Sequence, residues 1–140
     1  MLHRSVLTPP LCVYTAHVTV ADPDRLDVTR QTGGAAGEPF APSWRLVGPV
    51  LAARRASSPW RARSAVAEAA WERFVPLYVA EMRESYVAHR EVWNRLLGRE
   101  RVVLVCYCAD PLRCHRGLLS DILVKLGANA FGELVAQNGD

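Results

Sequence analysis

The feature of this sequence that most constrains its fold is an unbroken apolar run from Val102 to Ala109. The run is far shorter than the roughly 20 apolar residues that a membrane-spanning helix needs. It also lacks the alternation of polar and apolar residues that marks a strand with one solvated face. We therefore predict a strand over Arg101–Cys108 that is buried on both faces, at the centre of a covered sheet.

Two further strands are predicted near the N-terminus. Polar and apolar side chains alternate from Cys12 to Val20, which predicts a strand with one apolar face. The turn residues Asp22-Pro23-Asp24 follow, and Leu26–Thr29 has the composition of a shorter strand. Three glycines and two prolines lie between Gln31 and Pro42, so this segment is predicted to be a loop.

The rest of the chain is predicted to be mainly helical. We expect a short helix over Trp44–Arg55 and a long helical stretch over residues 65–97, with a kink or a junction of two helices at Pro76. A last helix is expected over Gly117–Leu126, before a final strand or short helix over Phe131–Ala136. The long stretch carries an apolar stripe formed by Trp71, Phe74, Tyr78, Met82, His89, Trp93 and Leu96.

Strands and helices that alternate around a doubly buried strand predict the α/β class. We expect one domain over residues 1–140, with a mainly parallel sheet flanked by helices in a Rossmann-like three-layer arrangement. Half of the residues are apolar and 22% are charged, a balance typical of globular proteins. We expect a cytoplasmic protein without a membrane partner, and not a secreted disulfide scaffold.

Three of the four cysteines cluster in sequence after the predicted central strand. They are Cys106, Cys108 and Cys114, and His115 follows directly. In open α/β sheets, ligands bind beyond the carboxyl ends of the strands, where this segment falls. Alternate residues of a strand share a face, so Cys106 and Cys108 are expected on one side. Together with Cys114 and His115 they form a candidate zinc site, since Zn²⁺ accepts thiolates and imidazoles in tetrahedral geometry.

The same segment also allows thiol and anion chemistry. The start of the following helix offers free N–H groups and a partial positive charge, which favour thiolates and phosphates. Cys108 is therefore a candidate nucleophile. Alternatively, His115 and Arg116 contact a phosphate or a leaving group, with Asp27 or Asp110 as the general base or sugar-hydroxyl acceptor. The candidate residues are His115, Asp27 and Cys108 for catalysis, and Arg30, Arg113, Arg116 and Asp110 for ligand binding.

Arginines are concentrated in a stretch from Pro39 to Ala67 that contains no acidic residue. Arginine is the side chain best suited to bidentate phosphate contact, and the chain carries a formal net charge of +3. The stretch therefore predicts either a footprint for phosphate or nucleic acid, or a solvated helix face and loop. Its arginines are Arg45, Arg54, Arg55, Arg61 and Arg63.

The segment V-V-L-V-C-Y-C-A-D-P-L-R-C-H-R-G-L-L-S-D-I-L, preceded by Trp71, Phe74, Tyr78 and Glu81-Met82, resembles the bacterial family called domain of unknown function 488, which includes YeaO-like proteins. That family shows an Asp-Val-Arg-like stretch after an early strand and a Cys-His-Arg segment after a late buried strand. Residues 27–30 resemble the first, with Thr29 inserted, and Cys106 with residues 114–116 resembles the second. Many relatives carry Glu where this chain has Cys108. The resemblance implies a small α/β fold and no established activity.

We expect a small α/β protein that binds an anionic ligand, a nucleotide or nucleic acid, at the Cys-His-Arg loop. It would act as a hydrolase or transferase at a phosphate or glycosidic bond. Two alternatives stay open. The first is a non-catalytic module in which Cys106, Cys108, Cys114 and His115 hold zinc for stability. The second is an arginine-rich accessory protein that binds nucleic acid.

Overall fold

The protein is built on a four-stranded sheet in which all neighbouring strands are parallel, in the order β2-β3-β1-β4. The strands are β1 (Cys12–His17), β2 (Arg25–Asp27), β3 (Arg101–Cys106) and β4 (Asn129–Leu134). This computed structural model describes residues 9–55 and 65–135. The predicted α/β class and mainly parallel sheet are confirmed.

Five α-helices lie within the described residues. They are α1 (Gly34–Gly37), α2 (Trp44–Arg55), α3 (Ala65–Ala88), α4 (Arg90–Leu97) and α5 (His115–Lys125). In this part of the chain, none of them combines the length and the apolar character that a bilayer crossing requires. The segment predicted as a loop between Gln31 and Pro42 contains α1 and a short 3-10 helix over Glu38–Phe40.

The long helical stretch is divided at His89 and not at Pro76. Pro76 lies inside α3, which continues through it to Ala88. His89 has a non-helical backbone conformation, with φ −125° and ψ 42°, and α4 begins at the next residue. Because the helix is interrupted there, His89 does not continue the buried face of α3. His89 is exposed, whereas Trp93 is fully buried.

The central strand β3 is buried on both faces, as the apolar run predicts. Val102 and Leu104 belong to the main core, which also receives Tyr78 from α3 and Leu119 from α5. On its other face, Val103 and Val105 form a smaller cluster with Ala16 of β1. The side chains packed against this cluster are Tyr14, Val18, Val20 and Leu134. The connection between β1 and β2 therefore covers part of the second face of the sheet.

The carboxyl ends of β2 and β3 define one edge of the sheet, because the two strands are parallel neighbours. Val28 follows β2 directly, and Cys106 is the last residue of β3. The helix α1 packs closely against this edge, since a Cβ at Gly37 would overlap the carbonyl oxygen of Asp27. The start of α5 at His115 reaches the same edge, where its ring contacts the Val28 carbonyl.

Candidate functional site

A compact group of possible metal ligands lies at this edge. One ligand atom from each of Cys106, Cys114 and His115 lies within 4.8 Å of the others, and all three residues are buried. The Cys106 Sγ atom is 3.8 Å from Nδ1 of His115 and 3.9 Å from Sγ of Cys108. β3 ends at Cys106, so the observed strand is two residues shorter than the predicted one, and Cys108 lies just beyond its end. All of these cysteines are free thiols.

The orientation of the His115 ring is fixed by the backbone. Its Nε2 atom lies 2.7 Å from the carbonyl oxygen of Val28, which can only accept a hydrogen bond. Nε2 therefore carries the proton, and the lone pair of Nδ1 faces Cys106. Burial lowers the pKa of His115, which favours this neutral form. Histidines that bind metals commonly donate a hydrogen bond from one ring nitrogen to a carbonyl and coordinate the ion with the other nitrogen. The His115 ring has this arrangement, with Nδ1 directed at the thiols.

The pKa values of the three clustered cysteines are shifted in different directions. Hydrogen bonds from the Cys106 and Cys114 thiols, with a further one from Arg54, lower the pKa of Cys108. Because Cys106 donates to Cys108, its pKa is raised to about 11. Burial raises the pKa of Cys114 well above its ordinary value. Of the three cysteines, Cys108 is therefore the one whose pKa is lowered.

Arg54, from the last turn of α2, holds Cys108 in place. One guanidinium nitrogen of Arg54 lies 3.2 Å from the Cys108 Sγ atom. Another donates to the carbonyl oxygen of Arg113 at 2.5 Å. The same guanidinium thus fixes the thiol and the short 3-10 helix over Pro111–Arg113 that leads into α5.

A cavity of about 70 Å³ borders the cysteines and His115. Its walls are mainly apolar, and the pockets that hold drug-sized ligands are larger, at roughly 300–1,000 Å³. The cavity therefore suits a small molecule. Its lining includes Trp44, Val47, Trp71, Phe74, Arg54, Arg30, Cys106, Cys108, Cys114 and His115.

Arg116 follows His115 in sequence, and its main partner is Glu133 of β4. Its side chain is fully buried and forms a two-nitrogen ion pair with Glu133 of β4, at 2.7 and 3.1 Å. A third nitrogen donates to the carbonyl oxygen of Cys108 at 2.9 Å. Glu133 also accepts a hydrogen bond from Thr15 of β1. The charge of Arg116 is therefore compensated within the protein, and the guanidinium positions the Cys108 backbone.

Asp27 is occupied by hydrogen bonds from its own loop. Its carboxylate accepts from the backbone N–H and the hydroxyl of Thr29, and from the hydroxyl of Thr32. Burial acts to raise the pKa of Asp27, but these hydrogen bonds outweigh it and the pKa is lowered. The arrangement fixes the segment that carries the Val28 carbonyl.

The other polar candidates also have partners within the protein. Arg30 borders the cavity, and its guanidinium donates to the carbonyl oxygens of Ala41 and Pro42. Arg113 also borders the cavity and pairs with Glu68 of α3 at 2.9 Å.

Asp110 caps the short 3-10 helix that precedes α5. Its carboxylate accepts a hydrogen bond from the backbone N–H of Leu112 at 3.0 Å. The candidates predicted from sequence thus divide into two sets. The structure brings the cysteines and His115 together, with Arg30 and Arg113 beside them at the cavity, whereas the acidic residues and Arg116 connect parts of the framework around them.

The described arginines of the arginine-rich stretch differ in how far they are exposed to solvent. Arg45 and Arg55 are exposed on α2, whereas Arg54 is half-buried against Cys108. Arg61 and Arg63 lie outside the described residues.

Three contributors to the site are absent from the predicted set. They are the carbonyl oxygen of Val28, the guanidinium of Arg54 in its contact with Cys108, and Glu133. Val28 lies 87 residues from His115, and Arg54 lies 54 residues from Cys108. No local sequence pattern connects such positions. The stretch without acidic residues around Arg54 did draw attention to this arginine, but it predicted a contact with phosphate or nucleic acid and not with a cysteine.

The fold and the site define a small α/β protein with a buried Cys-Cys-His group at the carboxyl edge of a parallel sheet. The model of one protein family, described as DUF488-N3a, the active DUF488-N3 subclade, matches residues 38–127. This range covers more than half of the chain, and the chain belongs to that family, whose function is unknown. No curated protein and no solved structure matches the chain.

Proposed function

We propose that this protein binds one zinc ion through Cys106, Cys114 and His115. The observation that carries the proposal is the separation of the donor atoms. With Zn–S bonds of about 2.3 Å and Zn–N bonds of about 2.0–2.1 Å, the edges of a tetrahedral site are about 3.8 Å between sulfurs and about 3.6 Å between sulfur and nitrogen. The Cys106 Sγ atom lies 3.8 Å from Nδ1 of His115, which is close to the sulfur–nitrogen edge of such a site.

The surroundings of the donors support the same function. The Val28 carbonyl fixes the tautomer and the direction of His115, a feature that commonly accompanies metal-bound histidines. Cys106 and Cys114 are buried free thiols in a group that also receives an arginine contact at Cys108. Hard cations prefer carboxylates and water as ligands, whereas zinc also binds thiolates and imidazoles well. The group of Cys106, Cys114 and His115 offers thiolates and an imidazole and no carboxylate.

Binding of a nucleotide or nucleic acid at the Cys-His-Arg loop is supported less well. The guanidinium of Arg116 is fully buried and paired with Glu133, and Arg30 donates to two backbone carbonyls. A phosphate at either arginine would have to displace these internal partners. The cavity of about 70 Å³ is also smaller than a nucleotide requires.

The proposal is tested by measuring zinc affinity in competition with a chromophoric chelator. Cys114→Ser removes one donor and should weaken binding by about 100-fold or more, because even loss of an outer-shell partner costs 10–100-fold. Cys12→Ser is the matched control, since Cys12 lies at the start of β1 and outside the group. Equal zinc affinity in both variants would contradict the proposal, provided that circular dichroism shows both to be folded.

A further inference from the structure

We infer that the metal position is completed by a small apolar thiolate from the cavity, and not by Cys108. This inference rests on the proposed zinc site and deepens it, because it assigns the ligand class and the kind of centre. It predicts a metal with two protein sulfurs, one histidine nitrogen and one exchangeable position.

The donor set points to an exchangeable position. Cys106, Cys114 and His115 supply two thiolates and one imidazole, a set that in zinc proteins leaves the fourth position to water or substrate. Sites closed by four protein ligands are mainly structural, and among the described residues Cys108 is the candidate for a third sulfur that would close the site. The question is therefore whether Cys108 is free to reach the ion.

Arg54 holds Cys108 beside the group. Its guanidinium lies 3.2 Å from the Cys108 Sγ atom and is itself fixed by the Arg113 carbonyl oxygen. From the other side, Arg116 donates to the Cys108 carbonyl oxygen and is anchored by Glu133. The compact group of ligand atoms contains Cys106, Cys114 and His115, and Cys108 lies next to it. The Cys108 Sγ atom lies 3.9 Å from Sγ of Cys106, but it is outside the set of ligand atoms that all lie within 4.8 Å of one another. The two anchored arginines therefore oppose the remaining movement that would bring Cys108 onto the ion.

The cavity specifies what takes the fourth position. It borders all of the cysteines in the group, so a ligand inside it can reach the ion directly. An ion held by these three protein ligands accepts one further donor atom at its remaining tetrahedral position. The walls formed by Trp44, Trp71 and Phe74 favour a ligand with an apolar body, and a cavity of about 70 Å³ suits a short one. Because zinc binds sulfur well, a short alkyl thiolate combines these properties.

X-ray absorption at the zinc edge tests the inference on the unaltered protein. We expect two sulfur scatterers and two lighter ones in the absence of a thiol, and three sulfurs after addition of ethanethiol. Three sulfurs before ethanethiol, with no change afterwards, would overturn the inference and leave the zinc site intact. A chain that takes up no zinc would overturn the proposed function and this inference together.

A set of variants tests the role of Arg54. In the cobalt-substituted protein, ethanethiol should add a saturable sulfur-to-cobalt absorption band. Arg54→Gln should release Cys108, which then competes for the fourth position. If Cys108 occupies the ion in nine molecules of ten, the apparent ethanethiol affinity falls about tenfold. Arg54→Gln combined with Cys108→Ser should restore the affinity of the unaltered protein.

Arg55→Gln is the matched control, because Arg55 is the exposed neighbour of Arg54 on α2. It should leave the cobalt spectrum and the ethanethiol titration unchanged. If Arg54→Gln weakens ethanethiol binding and the double variant does not restore it, Arg54 does not act through Cys108, and the part of the inference that concerns Arg54 is overturned. Unchanged ethanethiol binding in Arg54→Gln would overturn the same part.

Discussion

The Nε2 atom of His115 lies 2.7 Å from the carbonyl oxygen of Val28, so the first residue of α5 is tied to the residue that follows β2. This hydrogen bond places the proton on Nε2 and leaves the lone pair of Nδ1 for the cysteine group. It joins the carboxyl edge of the sheet to the start of a helix. The direction of the proposed metal ligand is thus set by the backbone of another element.

Loss of the imidazole should therefore weaken zinc binding directly. We expect His115→Gln to reduce zinc affinity by about 100-fold or more, measured by competition with a chromophoric chelator. His89→Gln is a suitable control, because His89 is exposed at the junction of α3 and α4. Unchanged affinity in a folded His115→Gln protein would show that this nitrogen is not a ligand.

The ion pair between Arg116 and Glu133 should stabilise the fold. The Arg116 side chain is fully buried, and removing the partner of a buried charge costs about 3–5 kcal/mol. Glu133 is a quarter exposed, so we expect Glu133→Gln to lower the free energy of unfolding by about 3 kcal/mol at neutral pH. Urea unfolding in the presence of a chelator measures this. Asp121→Asn, on the exposed side of α5, should change it by less than about 0.5 kcal/mol.

The same pair predicts part of the acid sensitivity of the protein. Burial acts to raise the pKa of Glu133, but hydrogen bonds from Arg116 and Thr15 outweigh it and hold the pKa below the ordinary value of 4.5. A carboxylate with a depressed pKa stabilises the fold above its ordinary pKa, and this contribution is lost as the pH falls through the folded-state pKa. The difference in stability between the unaltered protein and Glu133→Gln should therefore shrink below about pH 4.5. A difference that stays constant from pH 7 to pH 3 would contradict this assignment.

The approach of α1 to the end of β2 should not tolerate a side chain at Gly37. A Cβ there would overlap the Asp27 carbonyl oxygen, which is backbone and cannot turn aside. We expect Gly37→Ala to lower the free energy of unfolding by about 2–3 kcal/mol, because the helix or the strand end must shift. Ala36→Ser, at an exposed position of the same helix, should be nearly neutral. Similar midpoints of urea unfolding for the two variants would show that α1 does not pack as described.

The parts of the fold that follow from local patterns could be predicted. The unbroken run at Val102–Val105 indicates a strand buried on both faces, and the structure confirms this. The stripe on the long helix correctly indicates Phe74, Tyr78 and Trp93 as core residues. The position of the helix break could not be predicted, because the proline rule favours Pro76 while the chain turns at His89.

The site divides in the same way. The cysteines and His115 are close in sequence, so their proximity in the fold could be expected from the strand end and the loop. The contacts that orient them come from the Val28 carbonyl and from Arg54, on elements far away in sequence. Which arginine meets a thiol and which meets a carboxylate is decided by tertiary packing. No spacing in the sequence distinguishes Arg54 from Arg116.

Zinc binding at the Cys106, Cys114 and His115 group is tested most directly by elemental analysis of the reduced protein. The protein is first equilibrated with excess Zn²⁺, and unbound metal is removed by gel filtration. We predict one zinc per chain, lost in Cys114→Ser and retained in Cys12→Ser. A reduced, folded protein that retains no zinc would contradict the claim.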